Sequence, residues 1–93
     1  MKIVCVCGMG LGSSLILKMS VESAMKRLGV KEFDVEHASS GTIGGMHVDF
    51  IVTAEDFRDE FPGRGDVVFV KNVVKVDDVM SAIEEHMKAK GLL

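Results

Sequence analysis

Residues 7–14 read Cys-Gly-Met-Gly-Leu-Gly-Ser-Ser and directly follow an apolar run, Ile3-Val4-Cys5-Val6. A thiol therefore stands where a strand is expected to end. Gly8, Gly10 and Gly12 remove side-chain bulk beside it, and Ser13 or Ser14 can cap the helix that follows. A turn of this kind can aim several backbone N–H groups at one anion, with a helix N-terminus behind it. A thiolate is itself an anion, so a cysteine at the mouth of such a turn ionises more easily than a free thiol. The pattern points to chemistry on phosphate or a similar oxyanion.

Cys7 has three readings: a phosphoryl-accepting nucleophile, a redox or metal thiol, or a small core residue. Its place before a glycine-rich turn favours function. Cys5, between Val4 and Val6, reads as core. The glycines do not fit the dinucleotide fingerprint G-x-G-x-x-G. Counted from Gly8, the third glycine position holds Ser13; counted from Gly10, it holds Leu15. The nucleotide P-loop requires a lysine before its Ser/Thr, and none stands there. A low-molecular-weight tyrosine phosphatase requires an arginine six positions after its cysteine, where this chain has Ser13. Without a guanidinium to clamp the transferring group, the loop can hold a phosphoryl group with less drive toward hydrolysis. That suits a carrier better than a phosphatase.

Other candidates are weaker. A zinc site built from Cys5, Cys7, His37 and His47 is conceivable, but C-x-C with scattered histidines is poor support, and no metal or cofactor is expected. His37 falls near the end of a strand on the same edge as Cys7; His86 is expected to face solvent from the last helix. Met9 and Leu11, apolar residues beside a thiol, suggest a partner surface, with burial as the alternative. Glu55, Asp56, Asp59 and Glu60 read as a solvated helix face, and Arg58 and Arg64 as surface residues.

The 93 residues imply one domain, residues 1–93, with 47% hydrophobic content and a mean hydropathy of +0.28. There is no Trp or Tyr, so the core must be largely aliphatic. A net charge of −3 without a basic stripe argues against a nucleic-acid partner. Cysteines two residues apart are poorly placed to bridge. Free thiols and the lack of a signal-peptide pattern suggest the cytosol.

Strands are expected at Lys2 to Val6, Phe33 to Ala38, Asp49 to Thr53 and Asp66 to Val70. The first helix carries the stripe Leu17, Val21, Ala24, Leu28 and closes at Gly29. Residues 39–47 form a Ser/Gly-rich loop with at most a helical turn. Thr53 and Asp56 resemble a capping box opening a short helix that carries Phe57 and Phe61 and ends at Pro62-Gly63. The last helix carries Val76, Val79, Ile83 and Met87, with Asp77 and Asp78 at its start. Strands alternating with helices give an α/β fold: a single flavodoxin-like or Rossmann-like domain. Its four-stranded parallel sheet has the order 2-1-3-4, with helices on both faces. Ligands of such sheets bind at the carboxyl ends of the strands, where Cys7 falls.

The run Cys7-Gly8-x-Gly10-x-Gly12-Ser13-Ser14-x-Ile16-x-Lys18-Met19 resembles the cytoplasmic IIB component of the bacterial sugar phosphotransferase system. It is most similar to the ascorbate-specific type within the lactose/galactitol-like superfamily. The resemblance implies that Cys7 accepts a phosphoryl group from a phosphohistidine on a IIA protein. It then passes the group to a sugar, an ascorbate-like sugar acid or a polyol, held by a membrane-embedded IIC transporter. It implies a phosphate cradle made by Gly8, Met9, Gly10, Leu11, Gly12, Ser13 and Ser14, and a cytoplasmic protein associated peripherally with that transporter. A phosphorylation-read regulatory module and a small phosphatase are the alternative functions.

The two cysteines should differ in reactivity. Limited iodoacetamide at neutral pH should label Cys7, which titrates below the ~8.5 of a free thiol, and spare Cys5. Equal labelling of both in the folded protein, read by peptide mapping, would contradict the placement of the first strand.

Overall fold

The computed structural model describes residues 1–6, 11–38, 47–60, 65–72 and 75–91, and of residues 11–14, 56, 58 and 60 the backbone alone. The elements run β1 (Lys2–Val6), α1 (Leu11–Arg27), β2 (Asp34–His37), β3 (Phe50–Ala54), a 3₁₀ helix (Glu55–Glu60), β4 (Val67–Val70) and α2 (Val76–Ala89). The four strands form one parallel sheet in the order β2-β1-β3-β4. This is the expected α/β topology, with β1 paired on both sides.

The pairing follows from composition. Ile3, Val4, Cys5 and Val6 are all buried, because a strand flanked by neighbours and covered on both faces has no solvent side to make polar. Alternate residues divide between two cores. Ile3 and Cys5 join Phe50, Val52, Val68 and Val70 beneath α1 and α2. Val4 and Val6 join Ile51 and Val67 on the opposite face, against which Ala38, Val48, Phe57 and Phe69 pack. The two α-helices therefore share one face, and the other carries the 3₁₀ helix through Phe57.

α1 buries Leu17, Val21, Ala24 and Met25. It stops where the sequence requires. Gly29 has φ +82°, the left-handed region in which a side chain is strained. Its N–H donates to the Lys26 carbonyl (3.1 Å) and that of Val30 to the Met25 carbonyl (3.1 Å), the paired bonds of a Schellman cap. Leu28, expected within the helical stripe, lies in this turn and still packs half-buried on the core. α2 buries Val79, Ile83 and Met87 and carries Asp77 and Asp78 in its first turn.

At the amino edge Asp49 ties the two central strands. The Lys2 N–H donates to Asp49 Oδ2 (2.7 Å), and the Asp49 N–H donates to the Lys2 carbonyl (2.8 Å). The Arg27–Asp77 pair at 3.0 Å joins the helices on the surface and contributes little there. Among the described residues, no helix is long and apolar enough to cross a membrane.

Three local expectations are corrected. Ser13 and Ser14 do not precede α1; the helix opens at Leu11 and both lie inside its first turn. Thr53 does not cap a helix; it is a buried strand residue, because β3 continues to Ala54 by pairing Thr53 with Phe69 and Ala54 with Val70. His86 is not simply solvent-facing. It is half-buried, and its ring lies 5.4 Å from that of Phe50 at 49°. Phe61, Pro62, Gly63 and the segment 39–46 lie outside the described residues.

Burial, and secondarily Lys90, holds the His86 imidazole below its usual pKa of 6.5, with Asp66 opposing. The unfolded chain therefore takes up this proton first as pH falls. The stabilisation is complete above pH 6.5 and is lost as pH falls through the lower folded value. Urea unfolding of wild type and His86→Leu between pH 5 and 8 should show this. The difference in stability should move against the wild type below pH 6.5, and a difference independent of pH would contradict the placement of His86.

Candidate active site at the carboxyl edge of the central strand

Val6 ends β1 and Leu11 begins α1, so residues 7–10 join the carboxyl end of the central strand to the N-terminus of the longest helix. Cys7, Gly8, Met9 and Gly10 themselves lie outside the described residues, as do the side chains of Leu11, Ser13 and Ser14. What surrounds the Cys7 position is defined. On one side β2 ends at His37, which pairs with Cys5, and the Ala38 N–H donates to the Cys5 carbonyl (3.1 Å). On the other side β3 ends one residue after Thr53, which pairs with Val6. The switch point of the sheet therefore falls between β1 and β3, on the edge where a doubly wound sheet receives its ligand.

The helix behind this edge is suited to an anion. The backbone of Leu11, Gly12, Ser13 and Ser14 forms the first turn of α1, where N–H groups have no intrahelical acceptor. The helix is 17 residues long and has no acidic residue in that first turn. No carboxylate of that turn opposes its positive end.

The sequence candidates separate clearly. Cys5 is 0% exposed and belongs to the core beneath the helices. His37 is exposed at the carboxyl edge, whereas His47 is exposed just ahead of β3, at the opposite edge. The conceivable Cys5/Cys7/His37/His47 zinc set therefore draws on both ends of the sheet and on a core thiol. Met9, Arg64 and the side chains of Leu11 and Arg58 lie outside the described residues. The 3₁₀ helix exposes Asp59 and leaves Glu55 half-buried.

Two comparisons bear on this arrangement. Residues 2–90 match the family model described as PTS system, Lactose/Cellobiose specific IIB subunit. The ascorbate-specific PTS system EIIB component of Mycoplasma pneumoniae is 31% identical over 87 residues, covering 89% of this chain and 90% of that protein. The chain belongs to the PTS IIB family. It is accordingly the IIB component of a sugar phosphotransferase system, a family whose members work with IIA and IIC partners.

Two features of this IIB chain were not read from its sequence as part of the site. Leu15, Ile16 and Met19 are 48%, 46% and 65% exposed on the outer side of α1, within its first three turns. Ile16 and Met19, with Ser20, Ser23 and Val76, line a shallow groove of about 260 Å³. The signal was present: apolar residues off the stripe Leu17–Val21–Ala24 must face outward. The second feature is Thr53, whose side-chain oxygen is buried with no hydrogen-bond partner among the described residues. Its hydroxyl resembled a cap because an Asp stands three residues later; the strand pairing overrides that pattern.

Proposed function

We propose that Cys7 is the phosphoryl-carrying residue of this IIB chain. It takes the group from a phosphohistidine on the IIA protein and gives it to a sugar held by the IIC transporter. The observation that carries the reading is the place of Cys7 in the chain, the first residue beyond the central strand and four residues ahead of α1. The similarity to an ascorbate-specific EIIB component favours an ascorbate-like sugar acid over a polyol as acceptor.

The chemistry is two displacements at phosphorus. In the first, the Cys7 thiolate attacks, an S–P bond forms and the P–N bond of the phosphohistidine breaks. The electron pair returns to the imidazole. In the second, a sugar hydroxyl oxygen attacks, the S–P bond breaks and its electron pair returns to sulfur as thiolate. The hydroxyl proton leaves to a base or to solvent on the transporter side. Both steps depend on positioning and on charge stabilisation. The backbone amides from Gly8 to Ser14, which lead into a helix with no carboxylate in its first turn, are the groups suited to hold the phosphoryl oxygens. Ser13 stands where an arginine would favour transfer to water, so the phosphocysteine should persist until an acceptor arrives.

A carrier meets both partners through the edge that holds its nucleophile. Small, transient interfaces serve that need. The exposed Leu15, Ile16 and Met19 beside this edge supply an apolar contact without a large permanent interface. The chain works at the cytoplasmic face, associated peripherally with the transporter.

Transfer of labelled phosphate from phosphorylated IIA protein tests this reading. Wild type and Cys5→Ser should each take up one equivalent, and Cys7→Ser should take up none that it can pass to sugar. Met19→Glu should raise the KM for the IIA donor about tenfold or more while leaving kcat within about twofold, as expected of lost docking. Sugar phosphorylation by Cys7→Ser at the wild-type rate would refute the assignment.

A further inference from the structure

Adjacent carboxylates of α2 are treated differently by the fold. Asp77 pairs with Arg27 at 3.0 Å, and Glu84 pairs with Lys88 at 3.6 Å. The residues that follow them, Asp78 and Glu85, are exposed and have no ion pair among the described residues. Both line a groove of about 290 Å³ between α2 and the carboxyl end of β4. Glu55, the residue after β3, adds a third carboxylate to its lining, and Lys71 is its one cation among the described residues.

Spacing and chemistry select what the groove can take. Asp78 and Glu85 are seven residues apart, about 10 Å along the helix axis. Among the described residues, no three acidic, histidine or cysteine side chains converge as a metal site requires. The negative charge is instead spread along the groove, which suits a segment carrying more than one cationic side chain. Phe69 and Ala82 form apolar walls for the methylene stems of Lys or Arg, whose charged heads then reach the carboxylates. The groove lined by Ile16, Met19 and Val76, by contrast, contains no charged residue, so the two surfaces suit different partners.

We propose that the acidic groove between α2 and β4 is the docking surface for a Lys/Arg-rich cytoplasmic loop of the IIC transporter. This rests on the reading of the chain as a carrier that serves such a transporter. Membrane proteins concentrate Lys and Arg in their cytoplasmic loops, which makes the membrane-embedded partner the one of complementary charge. The groove begins at the carboxyl ends of β3 and β4, the sheet edge at which β1 also ends. A transporter held there faces the edge that carries the nucleophile. Opposite charge speeds the encounter and fixes its orientation without a large permanent interface.

Two half-reactions of the full chain, measured separately, test the proposal. One is uptake of labelled phosphate from phosphorylated IIA protein in solution. The other is transfer from the phosphorylated chain to sugar on inverted membrane vesicles containing the IIC transporter. In Asp78→Asn/Glu85→Gln the KM for the phosphorylated chain on the vesicles should rise about fivefold or more, with kcat within about twofold of wild type. Uptake from the IIA protein should stay within about twofold. Glu32→Gln/Glu84→Gln removes the same charge outside the groove and should match wild type in both steps. Raising salt from about 0.05 to 0.5 M should raise the vesicle KM of wild type more than that of Asp78→Asn/Glu85→Gln. An unchanged vesicle KM in that variant would overturn the proposal. So would an equal loss in the IIA step, or an equal rise in Glu32→Gln/Glu84→Gln, which would assign the effect to net charge. If the wild-type chain, once loaded, passes no phosphate to sugar on the vesicles, the carrier reading itself is contradicted and the docking proposal falls with it.

Discussion

The double pairing of β1 is the constraint on which the rest of the molecule depends. Its register with β2 and β3 sets both cores at once, since Ile3 and Cys5 must face the α-helices while Val4 and Val6 face away. A slip of one residue would exchange these sets and displace every side chain across the sheet. Asp49 pins the amino edge by bonding the backbone of Lys2 through both its side chain and its N–H. With one edge pinned and both faces filled, the carboxyl end of β1 is fixed relative to His37 and Thr53. The next residue in the chain is Cys7.

Two helices start on this same side of the sheet, and their first turns differ in charge. α2 carries Asp77 and Asp78 in its first turn, which stabilise it against the macrodipole by about 0.3–1 kcal/mol each. α1 forgoes that stabilisation: its first turn has a glycine, two serines and no carboxylate. Gly12 in that turn is a further departure from good helix formers. The buried stripe Leu17, Val21, Ala24 and Met25 can offset such losses, since packing rather than propensity holds most helices. Of the two α-helices, α1, which follows the cysteine in the chain, is the one whose first turn carries no carboxylate.

Much of this was legible in the sequence because the informative signals were redundant. Continuous β-branched runs marked buried parallel strands, and Gly29 marked the end of α1; pairing and a left-handed φ bear them out. Strand order followed from the alternation of elements. The errors arose where a local pattern competed with a tertiary one. Thr53 and Asp56 imitate a capping box, yet β4 holds Thr53 and Ala54 in the sheet. Ser13 and Ser14 have capping side chains, yet α1 already begins at Leu11. His86 follows Ile83 by three residues and precedes Met87, so helical spacing brings it to the edge of the buried stripe and against Phe50. The chemistry proposed at Cys7 rests on a pattern of residue types. A thiol, three glycines and two serines imply an anion, but they do not name the sugar.

The central claim is that the phosphoryl group rests on sulfur at the end of the central strand. Phosphorus NMR of the chain after phosphorylation by its IIA protein, with peptide mapping of the same sample, tests it most directly. The account predicts one phosphorothiolate resonance and one modified peptide, that containing Cys7. A phosphoramidate resonance mapped to His37, His47 or His86, with Cys7 unmodified, would contradict it.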